Sequence, residues 1–407
     1  MLAAMKRLLM MMLVLLAGLP AQAQELLGHG GPVRALAVLP GGVLASAGFD
    51  AAIIWWDLAA GRARRVARWH RGAVNALVAL PGGALASAGE DGALAIWPPD
   101  GDAEPQAVLQ REGAPVAALA ATPAGVLAAA GFDGVVRVWA QGPVQEWLGH
   151  QGAVTGLAWH GDELFSVGQD GTLRVWGGQP RLLAEAGLPR TAVVAVAEGA
   201  AVAGVDGQVV LPHGATLAVG DRPVVALAAR GNMLAAASMG GAVLVWALPE
   251  GRLLHRLEGP GLPVWSLAFS ADGATLYSGG QDRRVRAWAV ASGAALGPVA
   301  AEPPAHSSAG TAVFGACAAC HALGAEAAPM AGPSLHRLFG RRMGSLPGYG
   351  YSARLARGDV VWGRETLARL LTEGPDVMLP GTHMPVQRMS EPAELAALLD
   401  FLEAATK

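Results

Sequence analysis

The chain has 407 residues, enough for two or three domains, and with 53% hydrophobic and 15% charged residues it is far too apolar to stay disordered. Lys+Arg 29 against Asp+Glu 32 gives a formal charge of −3, which speaks against nucleic acid as a partner because phosphate binding needs a basic field. Two cysteines rule out a disulfide framework, so any exported domain must be held by its core or by a cofactor.

At the N-terminus Lys6 and Arg7 precede an apolar run over residues 8–19, followed by the small residues Ala21 and Ala23. The run is too short to span ~30 Å of hydrocarbon, so residues 1–23 are expected to be a cleaved signal peptide. No later stretch is long and apolar enough to cross a membrane. The mature chain is expected to be periplasmic, cleaved near Ala23, with a net charge of −5 once Lys6 and Arg7 are gone.

Residues 24–300 repeat about every forty positions. Trp recurs at 56, 97, 139, 176, 246 and 288, with Asp50, Asp91, Asp133, Asp170 and Asp282 six residues earlier. Ser46, Ser87, Ser166 and Ser278 stand four before the Asp, and His29, His70 and His150 open three units. Short alternating apolar runs between Gly-rich turns predict antiparallel strands. This pattern resembles the WD-repeat family, in which His, Ser, Asp and Trp satisfy one another between strands. The resemblance implies an all-β propeller whose tetrad residues are structural. Other units are degraded: Glu112 replaces the His in the third, Pro212 the Trp in the fifth and Gly240 the Asp in the sixth. Counting the weak unit near 188–220 gives seven blades; without it there are six. Residues 24–27 are expected to close the ring on the last blade, with 293–300 as the competitor. The residues just after the first Val of a unit, Arg34, Asn75, Thr155 and Trp265, with Ala117 and Ala226, would point to one rim of the channel, a partner site in that family.

Adjacent Pro303 and Pro304 with small neighbours mark a linker, placed at 301–309. Beyond it, 310–407 shows helical spacing at 365–371 and 392–406, with Pro392 just inside a start and Ser390 as its candidate cap. The region holds both cysteines, in Cys317-Ala318-Ala319-Cys320-His321. Two thiols three apart with an adjacent imidazole suit two thioethers to haem vinyl groups and one nitrogen to iron. Zinc would want two more ligands, and a thioredoxin-like pair a doubly wound context.

From these residues onward the region resembles a class I cytochrome c of mitochondrial type. Gly310 and Phe314 precede the cysteines at that family's spacing, residues 332–341 follow its loop below the haem, and Phe401 matches the aromatic of its last helix. The resemblance implies one covalent haem c, with His321 and Met384 as axial ligands. Pro333 would accept a hydrogen bond from His321; Arg341, Tyr351, Trp362 and Thr382 would complete the cofactor site. Met384 lies in the stretch 380–385, with His383 as the competing ligand, and Leu370 stands where that family has a Tyr near the Met sulfur. The domain's nine basic and nine acidic residues cancel, so no lysine ring steers it to acidic partners.

The expected molecule is multidomain: a seven-bladed WD-repeat propeller, then a small all-α cytochrome c domain. Its expected role is periplasmic electron transfer, with the propeller as docking scaffold for a redox protein. The alternative is an oxidoreductase in which the propeller holds a catalytic site and the haem relays electrons. Against it, His160, His213 and His255 are the propeller's only His outside the tetrads, too few for a multicopper centre. Asn75 and Asn232 are the chain's only Asn, too few for a quinone–calcium site.

Overall fold

The structure, a computed structural model, describes residues 25–296 and 309–407, apart from 100, 102, 103, 141, 179, 319, 325–328, 383, 385 and 387. The expected signal peptide and residues 301–308 of the expected linker lie outside the described residues. Ala309, expected in the linker, instead opens a helix.

Seven antiparallel sheets form the propeller. The first blade runs Val33–Leu39, Val43–Gly48, Ile53–Asp57 and Arg62–Ala67, each strand paired with the next. Five more four-stranded sheets repeat this order, beginning at Val74, Val116, Val154, Arg190 and Val224. The weak fifth unit is a complete blade, Arg190–Val196 to Thr216–Ala218, so seven is the correct count. The last blade combines Val264–Phe269, Thr275–Gly280 and Arg284–Ala289 with Glu25–Leu27, which closes the ring. The two expected closing segments do not exclude each other: Ala295–Leu296 pairs with the other end of the same strand, Leu296 opposite Ala287.

The blades are wedged apart by Val, Leu and Ala, with the tetrad Trp side chains sealing the outer layer. Trp55 and Trp97 meet edge-on across the first two blades, ring centroids 5.7 Å apart. In three blades the tetrad is complete. His29 Nδ1 lies 3.0 Å from Asp50 Oδ2, its Nε2 2.7 Å from Ser46 Oγ, and Trp56 Nε1 donates to the same oxygen at 2.7 Å. Since Nδ1 donates to the carboxylate, Nε2 must accept the Ser hydroxyl, so the tetrad's own side chains satisfy one another. His70, Ser87, Asp91 and Trp97 repeat this set, as do His150, Ser166, Asp170 and Trp176.

One hydrogen bond recurs in all seven blades. The N–H groups of Phe49, Glu90, Phe132, Gln169, Val205, Met239 and Gln281 donate to the carbonyls of Pro32, Ala73, Pro115, Ala153, Pro189, Pro223 and Pro263. These loops therefore share one end of the propeller.

The C-terminal region is helical: α1 (Ala309–Ala318), α2 (Arg364–Glu373), α3 (Pro375–Met378) and α4 (Pro392–Ala405). Gly310 allows α1 to cross α4 closely, since a Cβ there would lie 2.1 Å from Ala397 O. Phe314 and Phe401 pack beside that crossing at 5.2 Å. The N-cap of α4 is Glu391 rather than Ser390, with no side-chain cap; Pro392 in the first turn, fixed in φ, begins the helix one residue later than a Ser390 cap would. Among the described residues, no helix is long and apolar enough to cross a membrane.

Candidate functional site

Helix α1 ends at the cysteine motif, and the Cys317 carbonyl in its last turn reverses the chain. Cys320 and His321 both donate their N–H to Cys317 O, at 3.0 Å each. This tight turn brings both thiols and the imidazole to one cavity of about 240 Å³, whose far wall includes Met384. The cysteines are not joined in a disulfide. Burial pushes both thiols above the ordinary thiol range, Cys320 to about 11 with the Asp50 charge adding to it. They are neutral thiols, unlike the acidic thiolate that a thioredoxin-like pair requires.

His321 Nδ1 donates to Pro333 O at 2.8 Å. Burial holds the imidazole below its ordinary range, against the pull of that carbonyl. The ring is therefore neutral, and its Nε2 carries the lone pair that a metal ligand needs. Gly332 lets the ring lie flat on the loop: a Cβ there would fall 2.4 Å from His321 Cε1. Gly332 N–H in turn donates to Cys320 O at 2.9 Å.

Across the cavity, Thr382 Oγ1 accepts the Met384 N–H at 3.2 Å, shaping the loop that carries the thioether. His383, the competing ligand, lies outside the described residues. Met343 is buried in the helical core, and Met378 and Met384 both pack against it. The walls are Leu338, Leu367, Leu370, Leu379 and Leu398, with Trp362 and Tyr351. Leu370 belongs to the apolar cluster against which Met384 packs.

At one edge the wall becomes polar. Arg341 donates to Ser334 O and His336 O at 2.8 Å each, and its backbone carbonyl accepts Trp362 N–H at 2.9 Å. Ser352, also in the cavity lining, has a buried Oγ with no hydrogen-bond partner. A hydroxyl so placed costs about 1–3 kcal/mol unless something accepts it. A flat apolar slot with two thiols, an imidazole, a thioether and an orphaned donor at one edge fits a haem, whose carboxylates would satisfy that edge.

The four expected rim residues do not join this site. Each inner strand carries a β-bulge, which re-aims the residue it skips: Arg34, Asn75, Ala117, Thr155, Thr191, Val225 and Trp265. In the sixth blade the bulged residue is Val225, not Ala226. Asn75 Nδ2 donates to Val116 O at 3.0 Å and Thr155 Oγ1 to Arg190 O at 2.7 Å, so both stitch one blade to the next. The Arg34 guanidinium sits 5.2 Å from the Trp265 ring, whose Nε1 donates to Gln281.

Sequence reasoning placed Gly332 in the loop below the haem without giving it a role, and passed over Ser352, Tyr349 and Arg68. Ser352 could have been found from its adjacency to Tyr351. Arg68 gave no signal, because it lies in a propeller loop about 250 residues from the cysteines in sequence.

The "WD domain, G-beta repeat" family model matches residues 21–57, 141–177 and 251–289. The chain of "Structure of U3-55K" superposes with a TM-score of 0.58 at 24% identity, covering 64% of this chain and 92% of that one, a likeness of fold. Cytochrome c of Sesamum indicum is 39% identical over 105 residues, 26% of this chain and 94% of that protein. Cytochrome c of Cochliobolus lunatus is 40% identical over 91 residues, 22% of this chain and 83% of that protein. Fold and site thus define a seven-bladed WD-repeat propeller that continues into a helical haem-binding region. Through that region the chain belongs to the cytochrome c family.

Proposed function

We propose that the protein is an exported, periplasmic electron carrier with one haem c, and that its propeller is a docking scaffold for a redox protein. Cys317 and Cys320 would bond the haem covalently; His321 and Met384 would close its two axial positions, and Arg341, Tyr351, Trp362, Ser352 and Thr382 would line its polar edge. The group would supply a one-electron Fe(III)/Fe(II) couple. The chain's own residues do the rest. The Pro333 carbonyl fixes the His321 tautomer and the leucine walls exclude water, while the thioether of Met384 would favour reduced iron and would leave no open position for substrate.

The observation that carries this reading is the His321 Nδ1–Pro333 bond within a cavity shared by both thiols and Met384. The test is to express the full chain in a host able to attach haem c, then denature it and extract with acidified organic solvent. Colour should stay on the polypeptide, with one haem per chain by mass, and the native reduced protein should refuse carbon monoxide. Haem lost on extraction, or rapid carbon monoxide uptake, would refute the proposal.

A further inference from the structure

Gly30, Asp50 and Arg68 belong to the propeller, yet they line the same cavity as Cys317, Cys320, His321 and Met384. The approach is close. A Cβ on Gly30 would lie 2.9 Å from Cys320 Sγ and 3.8 Å from Ala331 Cβ. Ala331 N–H donates to Gly28 O at 2.8 Å, and Arg68 Nε donates back to Ala331 O at 2.7 Å. A terminal Arg68 nitrogen donates to Met330 O. The same guanidinium lies 4.2 Å from the centroid of the Tyr349 ring, whose hydroxyl also donates to Ala331 O, at 2.6 Å.

These contacts converge on residues 330–331, and the two residues that follow set the imidazole. Gly332 supports the His321 ring and Pro333 holds its Nδ1. A planar fork spanning two consecutive carbonyls while stacked on an aromatic face is a rigid clamp that no Lys could reproduce. Among the neighbouring charges, Asp50 is already committed to His29 and to the N–H groups of Gly30 and Ala52. Arg283, from the last blade, acts on both thiols with the same sign as Arg68.

We propose that the propeller is one wall of the haem site, and that Arg68 is a positioning residue for His321, which it reaches through Met330 and Ala331. Its charge, held beside the cysteine edge, favours the reduced over the oxidised iron. This rests on the haem reading above. The propeller is then part of the redox centre as well as a surface for others.

The test uses the full-length holoprotein with Arg68→Gln and, as an independent wedge, Gly30→Val. The readouts are the midpoint potential and amide hydrogen exchange at Ala331 and Gly332. Arg68→Gln should move the one-electron equilibrium about three- to tenfold toward the oxidised form, about 30–60 mV downward. Exchange at 331–332 should quicken at least tenfold in both variants. Unchanged potential in Arg68→Gln together with unchanged exchange in both variants would overturn the inference. Wild-type protein without covalent haem would instead overturn the reading beneath it, so the two failures are told apart.

Discussion

Gly332→Ala is the smallest change that tests the His321 geometry. A Cβ at position 332 would sit 2.4 Å from Cε1, 2.6 Å from Nδ1 and 2.8 Å from Nε2 of His321. Ordinary contact begins near 3.4 Å, so the ring must retreat by about 1 Å. The retreat carries Nδ1 away from Pro333 O, from 2.8 Å to beyond hydrogen-bonding range. Overpacking of this size costs about 1–3 kcal/mol, and an orphaned buried N–H about 1–3 kcal/mol more. The sum, about 2–6 kcal/mol, is a large part of a small domain's stability. The assay is denaturant unfolding of the haem region, followed by its visible absorption, alongside carbon monoxide binding. The variant should unfold at markedly lower denaturant and, with its imidazole displaced, should admit carbon monoxide. An unfolding midpoint within experimental error of wild type, with carbon monoxide still refused, would refute the argument that this glycine exists to seat the ring.

Two further predictions concern the propeller. Ser87→Ala removes the oxygen that pairs with both His70 and Trp97 and leaves two buried nitrogens without partners. It should cost about 2–5 kcal/mol by calorimetry or denaturant unfolding, whereas a loss below 1 kcal/mol would show the tetrad to be dispensable. The second concerns acid. Burial raises the Asp170 carboxyl, but the N–H groups of Gln151 and Thr172, the Thr172 hydroxyl and His150 outweigh it and hold it at about 2. Asp50 and Asp91 are likewise held below the carboxylate range, burial opposing and the paired His with backbone donors prevailing. Their folded values lie below an unfolded value near 3.9, so their stabilisation is complete above about pH 4 and is lost as pH falls toward 2. Unfolding free energy should drop steeply over that window and less steeply in Asp170→Asn; equal slopes would contradict the pairing.

The propeller was legible because its pattern is made of side chains that must satisfy one another locally. His29, Ser46, Asp50 and Trp56 recur at spacings that only the fold makes useful. The fifth blade was the hard case, since Pro212 stands where its Trp belongs and Asp206 alone of the tetrad pattern remains among apolar strands. The cysteine motif was legible for the same reason, since its chemistry needs a fixed local spacing, whereas Pro333 was legible only through the resemblance to cytochrome c. What the sequence hid was long-range. That Asn75 and Thr155 would bond the next blade depends on a bulge, which side-chain periodicity does not reveal. That Arg68 would meet Tyr349 depends on how the two parts of the chain dock, and no local pattern encodes that.

Whether the haem region swings on its tether or rests on the propeller is a question of free energy. A short tether gives an effective concentration in the millimolar range, so an intrinsic docking energy of about −4 kcal/mol already balances the two states. The interface supplies hydrogen bonds from Ala331 and Arg68 and a cation–π contact. At about 0.5–1.5 kcal/mol for each hydrogen bond and 0.5–2 kcal/mol for the stacked cation, these total about 2–6 kcal/mol, a range that spans the balance point before any apolar area is counted. Covering the Cys320 edge adds that area and tips the equilibrium toward docking. With haem bound as proposed, an electron entering or leaving past Cys320 would cross the end of the propeller that Gly30, Asp50 and Arg68 bring to the cavity. Phe49 and Phe132 are exposed on loops at that same end, and under the proposed docking role they would be the apolar surface nearest to that route.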